Sequence, residues 1–207
     1  MMIVIVAIIM TARIMNSVEE IKEYAKENRV PIIKEAGLSF LLEQIKKYEV
    51  KTVLEIGSAI GYSAIMMSSL ANVTTIERDK NMYELALKNI KDLNLEAKIK
   101  IILADALDSF ALVKDKTFDL LFIDAAKAQY EKFFNLYTPL LKKGGLVICD
   151  NLLFHGLVKE SDLSGYSRNL RSLIRKIKAF RAFLEGNGSF LTTFYEIGDG
   201  MSVSIKK

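Results

Sequence analysis

The residues best suited to chemistry in this sequence are carboxylates that recur at or beside the ends of short apolar runs: Glu55, Glu77, Asp105, Asp124 and Asp150. The last two have the most specific surroundings, Phe122-Ile-Asp-Ala-Ala-Lys127 and Val147-Ile-Cys-Asp-Asn151. If these runs are neighbouring strands, Asp124, Asp150 and Asn151 converge on one crevice. Oxygen donors without a thiolate or an imidazole suit a hard divalent cation such as Mg2+, with water or substrate completing its shell. Lys127 stands three residues after Asp124, so a helical turn there brings its amine to the same crevice. A cation holding two vicinal substrate oxygens would acidify a hydroxyl and orient it, and Lys127 would take the proton. The plainer alternative is that Asp150-Asn151 caps a turn and Lys127 is a surface residue.

A second constellation reads as a cofactor site. Val53-Leu-Glu-Ile-Gly-Ser-Ala-Ile-Gly-Tyr-Ser63 describes a strand, a tight turn and a helix start, in which Gly57 and Gly61 allow a ligand close to the backbone. It is neither a G-x-G-x-x-G fingerprint, since residue 59 is alanine, nor a P-loop, since no Lys-Ser/Thr follows. Glu55 would repel a pyrophosphate but suits the cationic methionine part of S-adenosylmethionine, directly or by bracing the turn. Glu77, twenty residues after Gly57, is suited to accept hydrogen bonds from two ribose hydroxyls. Asp105-Ala106, just past the next apolar run, falls where an adenine amino group would be met. The missing pyrophosphate glycines argue against an NAD-dependent oxidoreductase.

These groups require strands that end along one edge. Short apolar runs at Thr52–Ile56, 73–77, 99–103, 120–124 and 146–150 alternate with amphipathic segments at 62–70, 81–93 and 130–141. That alternation predicts βαβ units and a parallel sheet. After a basic helix at 168–181, residues 190–196 and 201–205 alternate as strands around Gly198-Asp199-Gly200, a terminal antiparallel hairpin. The expected fold is α/β: a Rossmann-like class I methyltransferase fold, a mostly parallel sheet flanked by helices with a C-terminal antiparallel hairpin. Ahead of it, Ser17 caps a helix at 18–28, Pro31 enforces an extended segment, and a second helix covers 38–47. One domain over 1–207 is expected, with 1–48 as a helical N-terminal extension.

The remaining composition narrows the function. Cys149, the sole cysteine, excludes an intrachain disulfide, suits a reducing cytoplasm, and lies in an apolar run that favours a buried hydrophobe over a nucleophile. The single histidine, His155, excludes a multi-histidine metal site. Net charge is only +4, yet Arg168, Arg171, Arg175, Lys176, Lys178 and Arg181 fall in one stretch without an acid, suited to a polyanion or simply a solvated helix face. Residues 1–10 are wholly apolar, too short to span a bilayer and without the flanks of a signal peptide. Residues 3–15 are expected to form a helical arm buried against the body or a second subunit, as in a homodimer, unless Met10 or Met15 is the true start. No membrane association is expected.

From about residue 30 to the C-terminus, the motifs around 54–63, 122–127 and 150–151 resemble the cation-dependent O-methyltransferase family that includes catechol and caffeoyl-CoA O-methyltransferases. The resemblance implies S-adenosyl-L-methionine and a divalent cation as cofactors. Its metal ligands fall on Asp124, Asp150 and Asn151, and its catalytic pair on Lys127 with Asp124. Its cofactor contacts fall on Glu55, Gly57, Ser63, Glu77, Asp105, Ala106 and Asp124, with a backbone contact near Ile33. Tyr24-Ala-Lys-Glu-Asn-Arg-Val-Pro-Ile32, Asp124-Ala-Ala-Lys-Ala-Gln-Tyr130, Asp150-Asn-Leu-Leu-Phe-His-Gly-Leu-Val158 and Ile197-Gly-Asp-Gly200 are most similar to the bacterial tRNA 5-hydroxyuridine methyltransferases, though the apolar start departs from their pattern. That likeness implies 5-methoxyuridine formation at the wobble position, because O5 and O4 of 5-hydroxyuracil are vicinal as in a catechol. The basic stretch would then hold anticodon-loop phosphates, and Tyr130, Phe154 or Tyr166 could stack on a base. A small phenolic substrate, or a non-catalytic RNA-binding module, are the rival readings.

Overall fold

A computed structural model of the protein describes residues 17–207; the expected arm at 3–15 lies outside the described residues. Five strands, β1 (Thr52–Ile56), β2 (Asn72–Glu77), β3 (Ile99–Leu103), β4 (Phe118–Ile123) and β5 (Leu141–Cys149), run parallel. The C-terminal strands β6 (Phe190–Tyr195) and β7 (Met201–Lys206) pair antiparallel, and β7 inserts beside β5, giving the order β3-β2-β1-β4-β5-β7-β6. This is the class I methyltransferase arrangement expected from the sequence.

The central strands are apolar on both faces because both faces are covered. Along β4, Leu120 and Phe122 pack with α1 (Val18–Glu27), α2 (Glu35–Lys47) and α3 (Tyr62–Ser68), while Leu121 and Ile123 face α5 (Tyr130–Tyr137) and α6 (Arg168–Gly186). β5 alternates in the same way, Leu146 and Ile148 against Val147 and Cys149. Each such side chain contributes roughly 1.5–3 kcal/mol by leaving water. Ile21, Leu41 and Ile45 of α1 and α2 are fully buried in the same cluster as β1 and β4. Ser17 caps α1 as expected, accepting the Glu20 amide at 3.3 Å.

Several boundaries differ from expectation. The helix expected at 130–141 ends at Tyr137, because Pro139 starts a 3-10 turn, Thr138–Leu140, that feeds directly into β5. The basic helix runs on to Gly186. Asp124 and Asp150 stand one residue beyond β4 and β5 rather than within them. Their amides still donate across the sheet, Asp124 to Ile56 at 3.1 Å and Asp150 to Ile123 at 3.3 Å, which fixes where their side chains emerge.

Candidate active site

Strand order reverses between β1 and β4, and at such a switch point the loops after the strands part to leave a crevice. The crevice here is a cavity of about 390 Å³. Of the residues singled out from the sequence, Ile33, Gly57, Ser63, Glu77, Asp105, Ala106, Asp124, Lys127 and Asn151 line it. Glu55 and Asp150 do not reach its surface; both are buried directly behind it, at 0% and 3% exposure.

In the half formed by β1–β3, the turn after β1 is held by a carboxylate. Glu77 accepts the amides of Ser58 (3.2 Å) and Ala59 (2.9 Å) on one oxygen and that of Asp79 (2.8 Å) on the other. The bracing considered for Glu55 is therefore performed by Glu77. Gly57 has φ +90°, and a side chain there would collide with the Asp124 carbonyl, so β1 and β4 close together only over glycine. Glu55 instead accepts the Ser63 hydroxyl at 2.5 Å, while its other oxygen is buried without a hydrogen-bond partner. Burial pushes its carboxyl up to about 7 against the pull of that bond. Asp105 turns back on the Leu107 amide (2.9 Å) and lies 3.9 Å from Arg78, an exposed pairing of small energetic weight. The Ala106 carbonyl is fixed by the Tyr137 hydroxyl at 2.6 Å.

In the half formed by β4 and β5, Asn151 takes a left-handed conformation, φ 63°, that carries its amide to within 3.1 Å of Asp124 Oδ1. Asp150 accepts the Asn151 amide at 2.6 Å, and its own carbonyl is held by the buried Tyr130 hydroxyl at 3.0 Å. Burial and then the Asp124 charge push the Asp150 carboxyl up to about 7, and burial also raises Asp124. Lys127 sits partly buried in a 3-10 turn, its charge acting on both acids. These carboxylates repel each other, and among the described residues neither forms an ion pair, which is an electrostatic condition suited to a metal site. With its amide turned over, Asn151 presents an oxygen about 3 Å from Asp124, near the spacing of adjacent ligands in an octahedral Mg2+ shell. The donor set thus fits a hard divalent cation.

The basic residues divide. Arg168, Arg171 and Arg175 share one exposed stripe of α6, with Lys176 exposed beside it. Lys178 is tied to the Glu160 carbonyl at 2.9 Å, and Arg181 turns away, its guanidinium 4.1 Å from the Phe194 ring centroid. Among the stacking candidates, Tyr130 is corrected: it is 1% exposed and packed edge-on against Phe180, so it cannot meet a base, whereas Phe154 and Tyr166 are accessible. Tyr62, Arg78, Gln129 and Phe133 also line the cavity. Gln129 stands at the N-cap of α5 and Phe133 one turn into it, a spacing that reads equally well as core.

A family model described as O-methyltransferase matches residues 10–207. The chain belongs to that family. A caffeoyl-CoA O-methyltransferase from Populus kitakamiensis is 31% identical over 182 residues, 84% of this chain and 76% of the relative. A catechol O-methyltransferase from Niastella koreensis is 28% identical, covering 77% of this chain and 75% of its own. A crystal structure from Staphylococcus aureus, provisionally described as a caffeoyl-CoA O-methyltransferase, is 42% identical with a TM-score of 0.88 over 92% of both chains. The chain is thus an S-adenosylmethionine-dependent O-methyltransferase. No described helix of this methyltransferase is long and apolar enough to cross a membrane.

Proposed function

We propose that this methyltransferase transfers the methyl group of S-adenosylmethionine to one hydroxyl of a vicinal pair, and that the pair is carried by 5-hydroxyuridine in a tRNA anticodon loop. Asp124, Asp150 and Asn151 are the residues that would hold a divalent cation. When bound, that cation supplies Lewis acidity and a template for two adjacent oxygens. Lys127, three residues after Asp124 and partly buried at the crevice, is the candidate acceptor of the hydroxyl proton at its Nζ. Ser63, held by Glu55 from behind the crevice, lines the place suited to the cationic methionine end of the donor. Glu77 keeps the turn shaped for the ribose, and Asp105 and Ala106 flank the adenine. A homodimer in the cytoplasm is the assembly in which this reading is framed.

The observation that carries the tRNA reading is the exposed stripe Arg168, Arg171 and Arg175, on a helix that packs against the turn bearing Lys127. Phosphate contacts act through released counterions, so tRNA affinity falls as salt rises. Replacing the three arginines by glutamine should raise KM for tRNA bearing 5-hydroxyuridine and flatten its salt dependence, while methylation of free catechol stays unchanged. Equal tRNA turnover and salt slope in the variant would favour the second reading, a small phenolic substrate, which the names of the relatives support.

A further inference from the structure

The loop after β5 bends through a run of left-handed residues: φ is 63° at Asn151, 44° at Phe154 and 54° at His155. Such a conformation is unfavourable for most non-glycine residues and persists where the surroundings hold it. Here the surroundings are the turn between β6 and β7. The Leu152 amide donates to the Gly200 carbonyl and the Leu153 amide to the Asp199 carbonyl, both at 2.8 Å. The His155 amide donates to the Asp199 carboxylate, Oδ1, at 2.7 Å. Gly200, at φ +85°, leaves no room for a side chain against the Leu153 backbone, so loop and turn are in direct contact.

Asp199 itself is an unusual choice for this position. It is 6% exposed, and its Oδ2 has no hydrogen-bond partner. The nitrogens that face it belong to exposed side chains: His155 Nδ1 is 3.7 Å from Oδ2, and Lys34 Nζ is 4.0 Å from Oδ1. A buried carboxylate is unfavourable unless its hydrogen bonds, or a cation nearby, offset the lost hydration.

We propose that Asp199 is a positioning residue, whose carboxylate and turn lock the loop over residues 151–155 so that Asp150 and Asn151 face Asp124. The proposal rests on reading those three as the metal ligands. Asp199 touches neither substrate nor metal; it acts through the His155 and Leu153 amides on a loop whose conformation is not self-sustaining. Outer partners of this kind govern metal affinity when they hold a ligand in place.

The test uses the full chain and its Asp199→Ala and Asp199→Asn variants, with three readouts: Mn2+ binding by equilibrium titration, S-adenosylhomocysteine binding by calorimetry, and amide exchange of Leu153 and His155 without metal. Asp199→Ala should speed exchange at both amides and weaken Mn2+ about 10- to 100-fold, with S-adenosylhomocysteine affinity within about twofold of wild type. Asp199→Asn keeps an acceptor for the His155 amide and should recover most of the protection and Mn2+ to within about threefold. Normal Mn2+ affinity in Asp199→Ala, or an equal loss of both ligands, would overturn the proposal alone, as would an asparagine variant no better than alanine. Wild-type protein that takes up no Mn2+ would overturn the metal reading and this proposal together.

Discussion

The two halves of the crevice use the same residue type, a carboxylate at a strand end, in opposite ways. On the β1–β3 side Glu77 is satisfied from within by three backbone amides, while Glu55 accepts Ser63 and lies fully buried behind the turn. On the β4–β5 side Asp124 and Asp150 face each other, both pushed up by burial, on a loop whose backbone is left-handed at Asn151. The first half is a preorganised cradle; the second needs a cation to be at rest. Satisfied carboxylates shape a backbone that approaches the ligand, whereas unsatisfied ones create the charge that attracts it.

Removing a member of the frustrated half should have the largest effect. Asp150→Ala is expected to lower kcat by several kcal/mol in barrier, about a thousandfold or more, if a cation supplies the Lewis acidity. S-adenosylhomocysteine should still bind within about threefold of wild type, since the cradle is built without Asp150. Near-normal turnover of this variant in a chelator would remove the distinction between the halves.

How far the site was legible follows the same division. The cofactor half was readable because a glycine turn between a strand and a helix, followed by acids at successive strand ends, is a local pattern repeated along the chain. The convergence of Asp124 with Asp150 was readable once the strands were assumed adjacent, which the β4–β5 pairing bears out. The role of Asp199 was not readable: it stands in Gly198-Asp199-Gly200, where the sequence signals only a turn, and its partner loop is more than forty residues away. Likewise nothing local told Arg181 from Arg175, because which face of α6 meets Phe194 depends on the hairpin packed against it. Tyr130 was misread as a stacking residue because its burial is set by Phe180, fifty positions on.

A change in the satisfied half should act on binding rather than on chemistry. Glu77→Ala strips three amides of their acceptor and is expected to cost roughly 2–3 kcal/mol of cofactor affinity, about 30- to 150-fold in Kd. Glu77→Gln retains one acceptor oxygen and should fall between alanine and wild type. A titration showing an unchanged Kd in both variants would mean that the cradle is shaped by Gly57 and Gly61 alone.

The smallest effect is also the one that compares the halves most directly, because each contains one carboxyl pushed up to about 7: Glu55 from 4.5 and Asp150 from 3.8. In both cases the folded protein holds a proton that the unfolded chain releases at lower pH. Stability contributed by the protonated form is therefore complete below the unfolded values, falls as pH rises through 5 and 6, and levels off above about 7. The Tm of ligand-free protein should accordingly decline between about pH 5 and 8. Each ligand should then flatten its own part of the slope. Mg2+ would relieve Asp150, and the ammonium group of S-adenosylhomocysteine would relieve Glu55, so calorimetric scans with either ligand should retain roughly half the decline. Glu55→Gln removes one contribution outright, and in that variant Mg2+ alone should flatten the curve. If Mg2+ alone flattens it in the wild type, Glu55 and Asp150 titrate as one electrostatic unit through Asp124, and the two halves are one site.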